Sequence, residues 1–276
     1  MLTTVKAYSS WKSAPVLPLS GRGPETDLLQ VRDIEGLGPV KAAVNTTPYG
    51  SMDGEAFTGS LVNSRNIVLT IGLNPNWDEW SMEALRRLVY SYFMPKLQTK
   101  LVFESNDEFP PVEISGYVES VEPDIFAKDV QVQVSIICPD PYFVAVDPVV
   151  INDVSNAQHL IDYNGSIETG IYVRVSERDL PAPTLIGVQI DETAASYFRV
   201  AASVSSTKYL EMNSLPGNKY VQNVELGTGI ITNLLPKMVE GSSWPTLQPG
   251  EQIFSVTSDA GSQDWELTYF ERFGGL

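Results

Sequence analysis

A chain of 276 residues, 43% hydrophobic and 19% charged, is long enough for two domains and too apolar for a disordered segment. Its formal charge of −16, with no basic cluster, excludes a surface that binds nucleic acid by displacing counterions, and argues against an anionic membrane. One cysteine (Cys138) and one histidine (His159) exclude an internal disulfide and a Cys/His zinc centre.

The acidity is spread along the chain. Residues 1–150 hold 11 Lys+Arg against 19 Asp+Glu, and residues 151–276 hold 7 against 15, a deficit of eight in each half. An all-oxygen calcium site remains open, although no EF-hand spacing occurs, and no cofactor is expected. No apolar run approaches the roughly 18–20 residues that span a bilayer. Residues 1–11 lack a basic stretch followed by an apolar one, so no signal peptide is expected. Synthesis in a cytosol is the simplest expectation.

Residues 17–44 show short apolar runs broken by Gly and Pro, which predict short strands and tight turns. Asp53-Gly54 is a hairpin signal, and Arg65–Leu73 (RNIVLTIGL) predicts a strand. One helix follows. Leu85, Leu88, Val89 and Tyr92 fall at i, i+3, i+4 and i+7 and share one face. Asn76 with Glu79 resembles a capping box, Arg86 and Arg87 lie off the apolar face, and Pro95 ends the helix. Strands are predicted at 97–104, 112–121 and 130–137, with a turn at Glu122-Pro123-Asp124. In the last strand Val130, Val132, Val134 and Ile136 alternate with polar residues.

Two prolines within Pro139-Asp140-Pro141 forbid a central strand there. A domain boundary is placed shortly after, within 146–153, dividing the chain into 1–148 and 149–276. The second part shows no helix. It offers strands at 170–175, 184–191, 197–200, 209–213, 220–225, 252–257 and 265–270, with turns at Pro181-Ala182-Pro183, Pro216-Gly217-Asn218 and Gln248-Pro249-Gly250. Such spacing predicts an antiparallel sandwich or jelly roll.

No residue set forms a catalytic constellation. His159 has no nucleophile beside it and reads as a packing or surface histidine. Asp140 reads as fixing its own turn, and Cys138 as a small buried hydrophobe. Asp107-Glu108 and Asp191-Glu192 are adjacent in sequence, which does not hold two carboxyls across a sugar. Gly21-Arg22-Gly23 and Gly36-Leu37-Gly38 are turn glycines, not a dinucleotide fingerprint. Trp77 and Trp80, at the start of the helix, and Arg86 and Arg87 are candidates for an assembly interface, with helix packing or solvation as the alternative. Tyr209, Trp244 and Trp265 are candidates for stacking on a sugar ring, although aromatics in strands more often serve the core.

Five segments occur in one order: DIEGLGPV at 33–40; the Asp53-Gly54 hairpin leading to RNIVL at 65–69; LRRL at 85–88 with a tyrosine-rich helix end; GYVES at 116–120 followed by Ile125-Phe126; and CPDPYF at 138–143. In this the chain resembles the distal tail proteins of bacteriophages with long, non-contractile tails (siphophages). The later stretch Ser242-Ser243-Trp244 to Leu247-Gln248-Pro249-Gly250 and the closing Phe273-Gly274-Gly275-Leu276 resemble the galectin-like module of the same family.

The resemblance implies a mainly β fold with one α-helix: an N-terminal β-rich ring-forming domain and a C-terminal galectin-like β-sandwich. It implies a virion protein with no enzymatic activity, a subunit of a homo-hexameric ring at the distal tail or baseplate. Its implied partners are its own copies, the tail tube protein, the tail-tip hub protein and receptor-binding or side-fibre proteins. DNA would pass through the ring without specific binding, and nothing would insert into a membrane. An alternative function is a carbohydrate-binding module of the tail tip that recognises host-surface glycans.

Overall fold

The computed structural model describes residues 2–10, 16–20, 28–76, 78–105, 109–124, 129–177, 185–191, 197–202, 204–260 and 262–276. The described residues are mostly β with a single α-helix. It divides into two compact units: Met1–Val146 with Phe273–Leu276, and Asp147–Arg272. The second is thus inserted into the first, and the last four residues pack with unit 1 although they follow the second half in sequence.

Unit 1 contains β1 (Leu2–Ser9), β2 (Leu17–Ser20), β3 (Leu29–Glu35), β4 (Ala42–Pro48), β5 (Glu55–Val62) and β6 (Arg65–Leu73). The helix α1 (Met82–Tyr92) comes next, then β7 (Gln98–Ser105), β8 (Val112–Asp124), β9 (Gln131–Cys138) and β10 (Phe143–Ala145). With a short last strand, β23 (Arg272–Phe273), beside β10, strands run in the order β23-β10-β8-β7-β1-β2-β3-β6-β9, and β9 pairs back onto β8. The sheet therefore closes on itself, which removes the exposed edges that an open sheet would carry. From β10 onward these pairings are antiparallel except β2 with β3.

Alternation fills the inside. Ile67, Leu69 and Ile71 of β6 and Val132, Val134 and Ile136 of β9 are fully buried. The helix lays Leu85, Val89 and Tyr92 on the same core, with Leu88 at its margin. Its cap corrects the sequence reading. Ser81, in an extended conformation, accepts the Ala84 N–H on its Oγ at 3.2 Å. Asn76 instead forms a separate turn upstream, its carbonyl accepting from the N–H groups of Glu79 and Trp80. Glu83 in the first turn complements the helix dipole.

A second correction concerns Glu122-Pro123-Asp124, which continues β8 and does not turn; Pro123 lies opposite Val132. Proline is tolerated because β7 registers with β8 only as far as Tyr117, so the missing N–H costs no ladder bond on that edge.

Unit 2 contains β11 (Val149–Val154), β12 (Gln158–Tyr163), β13 (Thr169–Gly170), β14 (Tyr172–Glu177), β15 (Leu185–Ile190), β16 (Tyr197–Ala201), β17 (Lys208–Asn213), β18 (Tyr220–Glu225) and β19 (Ile231–Asn233). A 3₁₀ turn (Leu235–Lys237) precedes β20 (Thr246–Leu247), β21 (Gly250–Ser258) and β22 (Gln263–Tyr269); β23 (Arg272–Phe273) carries the chain back to unit 1. A six-stranded sheet (β11-β22-β14-β17-β18-β19) and a four-stranded sheet (β12-β21-β15-β16) are antiparallel throughout. They share one core, in which Val173, Val175, Leu210 and Leu267 meet Ile186, Val188, Phe254 and Val256. That is a β-sandwich.

Candidate assembly surfaces

Three features of unit 1 stand out. The first is an arm. Among the described residues β4 and β5 pair only with each other, as a two-stranded ribbon apart from the closed sheet. Register places Ala42, Val44, Phe57 and Val62 on one face. Val44 is 60% exposed and Phe57 66% exposed, and Tyr49 and Met52 at the tip are also exposed. The Asp53-Gly54 signal lies in this tip, where Gly54 takes φ +102°.

The second is the helix. Trp80 is half-buried and packs against the unit 1 core. Arg86 is half-buried and Arg87 is exposed on the same helix. Trp77 lies outside the described residues, as do Gly21, Arg22, Gly23, Asp107, Glu108, Ile125, Phe126, Glu192 and the Pro181-Ala182-Pro183 turn.

The third feature is a buried arginine that sequence reasoning missed. Arg65, at the start of β6, is 2% exposed. Its Nε donates to the Pro141 carbonyl at 2.6 Å, and its Nη1 donates to the carbonyls of Gly38, at 2.7 Å, and Gly36. Its Nη2 donates to the carbonyl of Gly274. The guanidinium also sits 4.5 Å from the centre of the Phe143 ring. Among the described residues its ion-pair and hydrogen-bond partners are main-chain carbonyls, not carboxylates. Burial pulls its pKa below the usual value, yet a guanidinium stays protonated in a protein.

Four of the motifs that carry the family resemblance thus converge on one side chain: GLG at 36–38, the RNIVL strand, PDPYF at 139–143 and the closing FGGL. The path of the chain around it needs glycine. Gly36 has φ +88°, and a Cβ there would collide with the Asn66 carbonyl. A Cβ on Gly275 would come within 2.9 Å of Pro39. The Leu276 N–H donates to the Leu37 carbonyl at 3.0 Å, and Phe273 packs on Phe109 with ring centroids 4.7 Å apart.

In unit 2 the three aromatic candidates do not form one platform. Trp265 is 2% exposed, points into the core against Phe254, and donates its Nε1–H to the Val154 carbonyl at 2.9 Å. Trp244 is half-buried on Phe198 of the four-stranded sheet. Tyr209 belongs to the six-stranded sheet, and its ring lies 4.0 Å from the Arg174 guanidinium.

The remaining candidates make local contacts. His159 Nδ1 lies 3.4 Å from Asp153 Oδ2. The Tyr142 N–H donates to Asp140 Oδ1 at 3.3 Å, as a turn-fixing aspartate requires. Cys138 is buried, and burial pushes its thiol up to about 11, with Arg65 pulling down and Asp140 pushing up. Asp191 Oδ1 accepts from the Ile253 N–H. Among the described residues no group of three His, Cys, Asp or Glu is placed to hold a metal, and no helix is long and apolar enough to cross a membrane.

Residues 25–136 match the family model of the phage tail protein RIFT-related domain. Among solved structures, the chain is similar to SPP1 Dit (gp 19.1), described as a paradigm of the hub adsorption apparatus in phages infecting Gram-positive hosts. Identity is 13%, the TM-score is 0.68, and the match covers 98% of this chain and 99% of that one. A chain of the phage P2 baseplate in its activated conformation with Ca matches at 11% identity and a TM-score of 0.48, covering 97% and 98%. No curated protein matches the sequence. Residues 25–136 thus carry the match to the phage tail protein RIFT-related domain, in a chain that shares the fold of SPP1 Dit over nearly its whole length.

Proposed function

We propose that the protein is a structural ring subunit of the distal tail, without catalytic activity, that joins the tail tube to the tail-tip hub. Six copies would form the ring through unit 1, and unit 2, as a galectin-like module, would hold adhesion proteins. The family-model match over residues 25–136 and the fold support a tail or baseplate role; the ring number and the named partners are inferred from the resemblance.

The arm formed by β4 and β5 carries this reading. A lone two-stranded ribbon is marginally stable in water, and this one turns Val44, Phe57 and Val62 outward together. A contiguous apolar surface of this kind marks a contact with another molecule. An arm that docks on a different surface of the next copy is a heterologous contact, which builds a ring when its rotation closes and a filament when it does not. The acidic surplus suits a conduit for DNA, since like charge prevents sticking.

The test is assembly. Purified wild-type protein should form rings with a central hole, seen by negative-stain imaging and light scattering. Val44→Ser with Phe57→Ser should leave monomers whose melting temperature matches that of the wild-type monomer, because both residues are exposed. A wild-type chain that stays monomeric, alone and with its tube and hub proteins, would sink the ring subunit. Rings from the double variant would remove the arm from the interface.

A further inference from the structure

We propose that Arg65 is a positioning residue that couples the arm to the two stretches of chain leading into and out of unit 2, so that a shift of either stretch redirects the arm. Its consequence for assembly rests on the ring reading above; the coupling itself does not. The four carbonyls that Arg65 holds lie at the roots of two excursions of the chain. Gly36 and Gly38 precede β4, and Arg65 itself follows β5, so both ends of the arm meet at the guanidinium. Pro141 precedes β10, after which the chain leaves unit 1 at Val146; Gly274 follows β23, by which it returns.

The roots are packed as well as bonded. Gly36 lies so near the Asn66 carbonyl that a Cβ would collide with it, and a Cβ on Gly275 would come within 2.9 Å of Pro39. The Leu276 N–H donates to the Leu37 carbonyl at 3.0 Å. Residues 36–39, which lead into the arm, are thus held by the start of β6 and by residues 275–276. The entering stretch is pinned by the pairing of β10 with β8, and by the Val146 N–H donating to the Pro111 carbonyl at 2.9 Å. Inside unit 2, the Arg272 carbonyl accepts from the Ser166 N–H at 2.9 Å and the Ile167 N–H at 3.2 Å, and the Arg272 N–H donates to Tyr163 Oη at 3.0 Å. A displacement of that segment of unit 2 reaches Gly274 through Phe273 alone.

The chemistry makes this coupling stiff. A guanidinium is planar, and its N–H groups keep fixed directions. If one segment moves, the fork either follows it and leaves the other carbonyls, or loses the one that moved. Both leave buried polar groups unpaired, which is costly in a medium of low dielectric. The arm is the element free to respond. Among the described residues its strands pair only with each other, and a lone ribbon takes its direction from its roots. The closed sheet beside the clamp yields less, because Ile67 and Ile136 are fully buried in a packed core. Coupling of this kind is reciprocal: an arm seated on a neighbour steadies residues 274–276 in turn.

The test measures the direction of the arm by distances between two spin labels. Met52→Cys at the exposed tip and Ser115→Cys on the exposed side of β8 carry the labels, while the buried Cys138 stays unlabelled. Labels are placed in the Val44→Ser, Phe57→Ser background and diluted into unlabelled protein, so that each distance is measured within one chain. The temperature is one at which melting curves show every variant folded. With Arg65 and Gly275 intact, one narrow distance distribution is expected. Arg65→Lys, which cannot span the fork, and Gly275→Ala, which presses on Pro39, should each broaden or displace it. Without the labels and the arm substitutions, each should raise the concentration at half ring assembly about tenfold, as the loss of one well-placed polar contact does. A clamp that only stabilises unit 1 would lower the melting temperature and leave the distance in the folded protein unchanged; that result in both variants overturns the proposal. Weaker ring assembly with an unmoved arm overturns it too. A displaced arm with normal rings upholds the coupling and removes the arm from the ring interface.

Discussion

Replacing Arg65 with alanine should cripple unit 1. The truncation leaves the carbonyls of Gly36, Gly38, Pro141 and Gly274 without the donors they have now. A buried polar group left unpaired costs about 1–3 kcal/mol, and the lost contact with Phe143 adds about 1 kcal/mol. Two effects work against the full total: the guanidinium no longer has to be desolvated, and water can enter the vacated volume and repair some carbonyls. The net loss should be about 3–5 kcal/mol, at the upper end for single substitutions. In a body of about 150 residues this lowers the melting temperature by roughly 8–15 °C, readable by calorimetry. Arg65→Lys should fall between, because one ammonium cannot reproduce a planar fork that reaches three chain segments. Ending the chain after Phe273 removes Gly274 and should destabilise the same transition. The double variant should be less damaged than the two losses added, with a coupling above about 0.5 kcal/mol. If Arg65→Ala melts within about 3 °C of wild type, the clamp is not what fastens the C-terminal tail to unit 1.

That side chain also marks where the sequence becomes opaque. Elements with strong period were readable. The helix face Leu85, Val89, Tyr92 and the alternation of β9 put the predicted residues in the core, because period alone decides which side of an element is buried. β1 was not read as a strand, since its inward positions hold only Val5, Ala7 and Ser9, too small to stand out. Arg65 could not be found by any local rule. Arginines are seldom buried, and its carbonyl partners stand 27, 29, 76 and 209 residues away. The glycines and prolines around those carbonyls were visible, but only as turns. Trp265 shows the converse. The alternation Gln263, Trp265, Leu267, Tyr269 already places it with the inward set, and that pattern outweighs the general appeal of an exposed tryptophan.

Two further expectations concern titratable groups. Cys138 is buried and its thiol is pushed up to about 11, so a thiol reagent near neutral pH should label the folded protein only as fast as it opens; rapid labelling without denaturant would contradict this packing. In unit 2, burial raises the pKa of Tyr163, Tyr172 and Tyr269 above 10.0, in the last case to about 12. For Tyr172 the bond to Glu211 adds to burial; for Tyr163 the Arg272 N–H, which donates to its hydroxyl at 3.0 Å, works against it. A raised value means the folded chain holds these protons more tightly than the unfolded chain. The stability they contribute is therefore complete below pH 10 and is lost as pH rises towards 12. Tyr269 alone should account for on the order of 2–3 kcal/mol across that window. Phenolate absorbance should show a late-titrating group of tyrosines, and the melting temperature of unit 2 should fall in step with it. Tyr269→Phe, which has no proton to lose, should make that fall shallower; a variant that declines as steeply as wild type would show that these phenols do not drive alkaline unfolding.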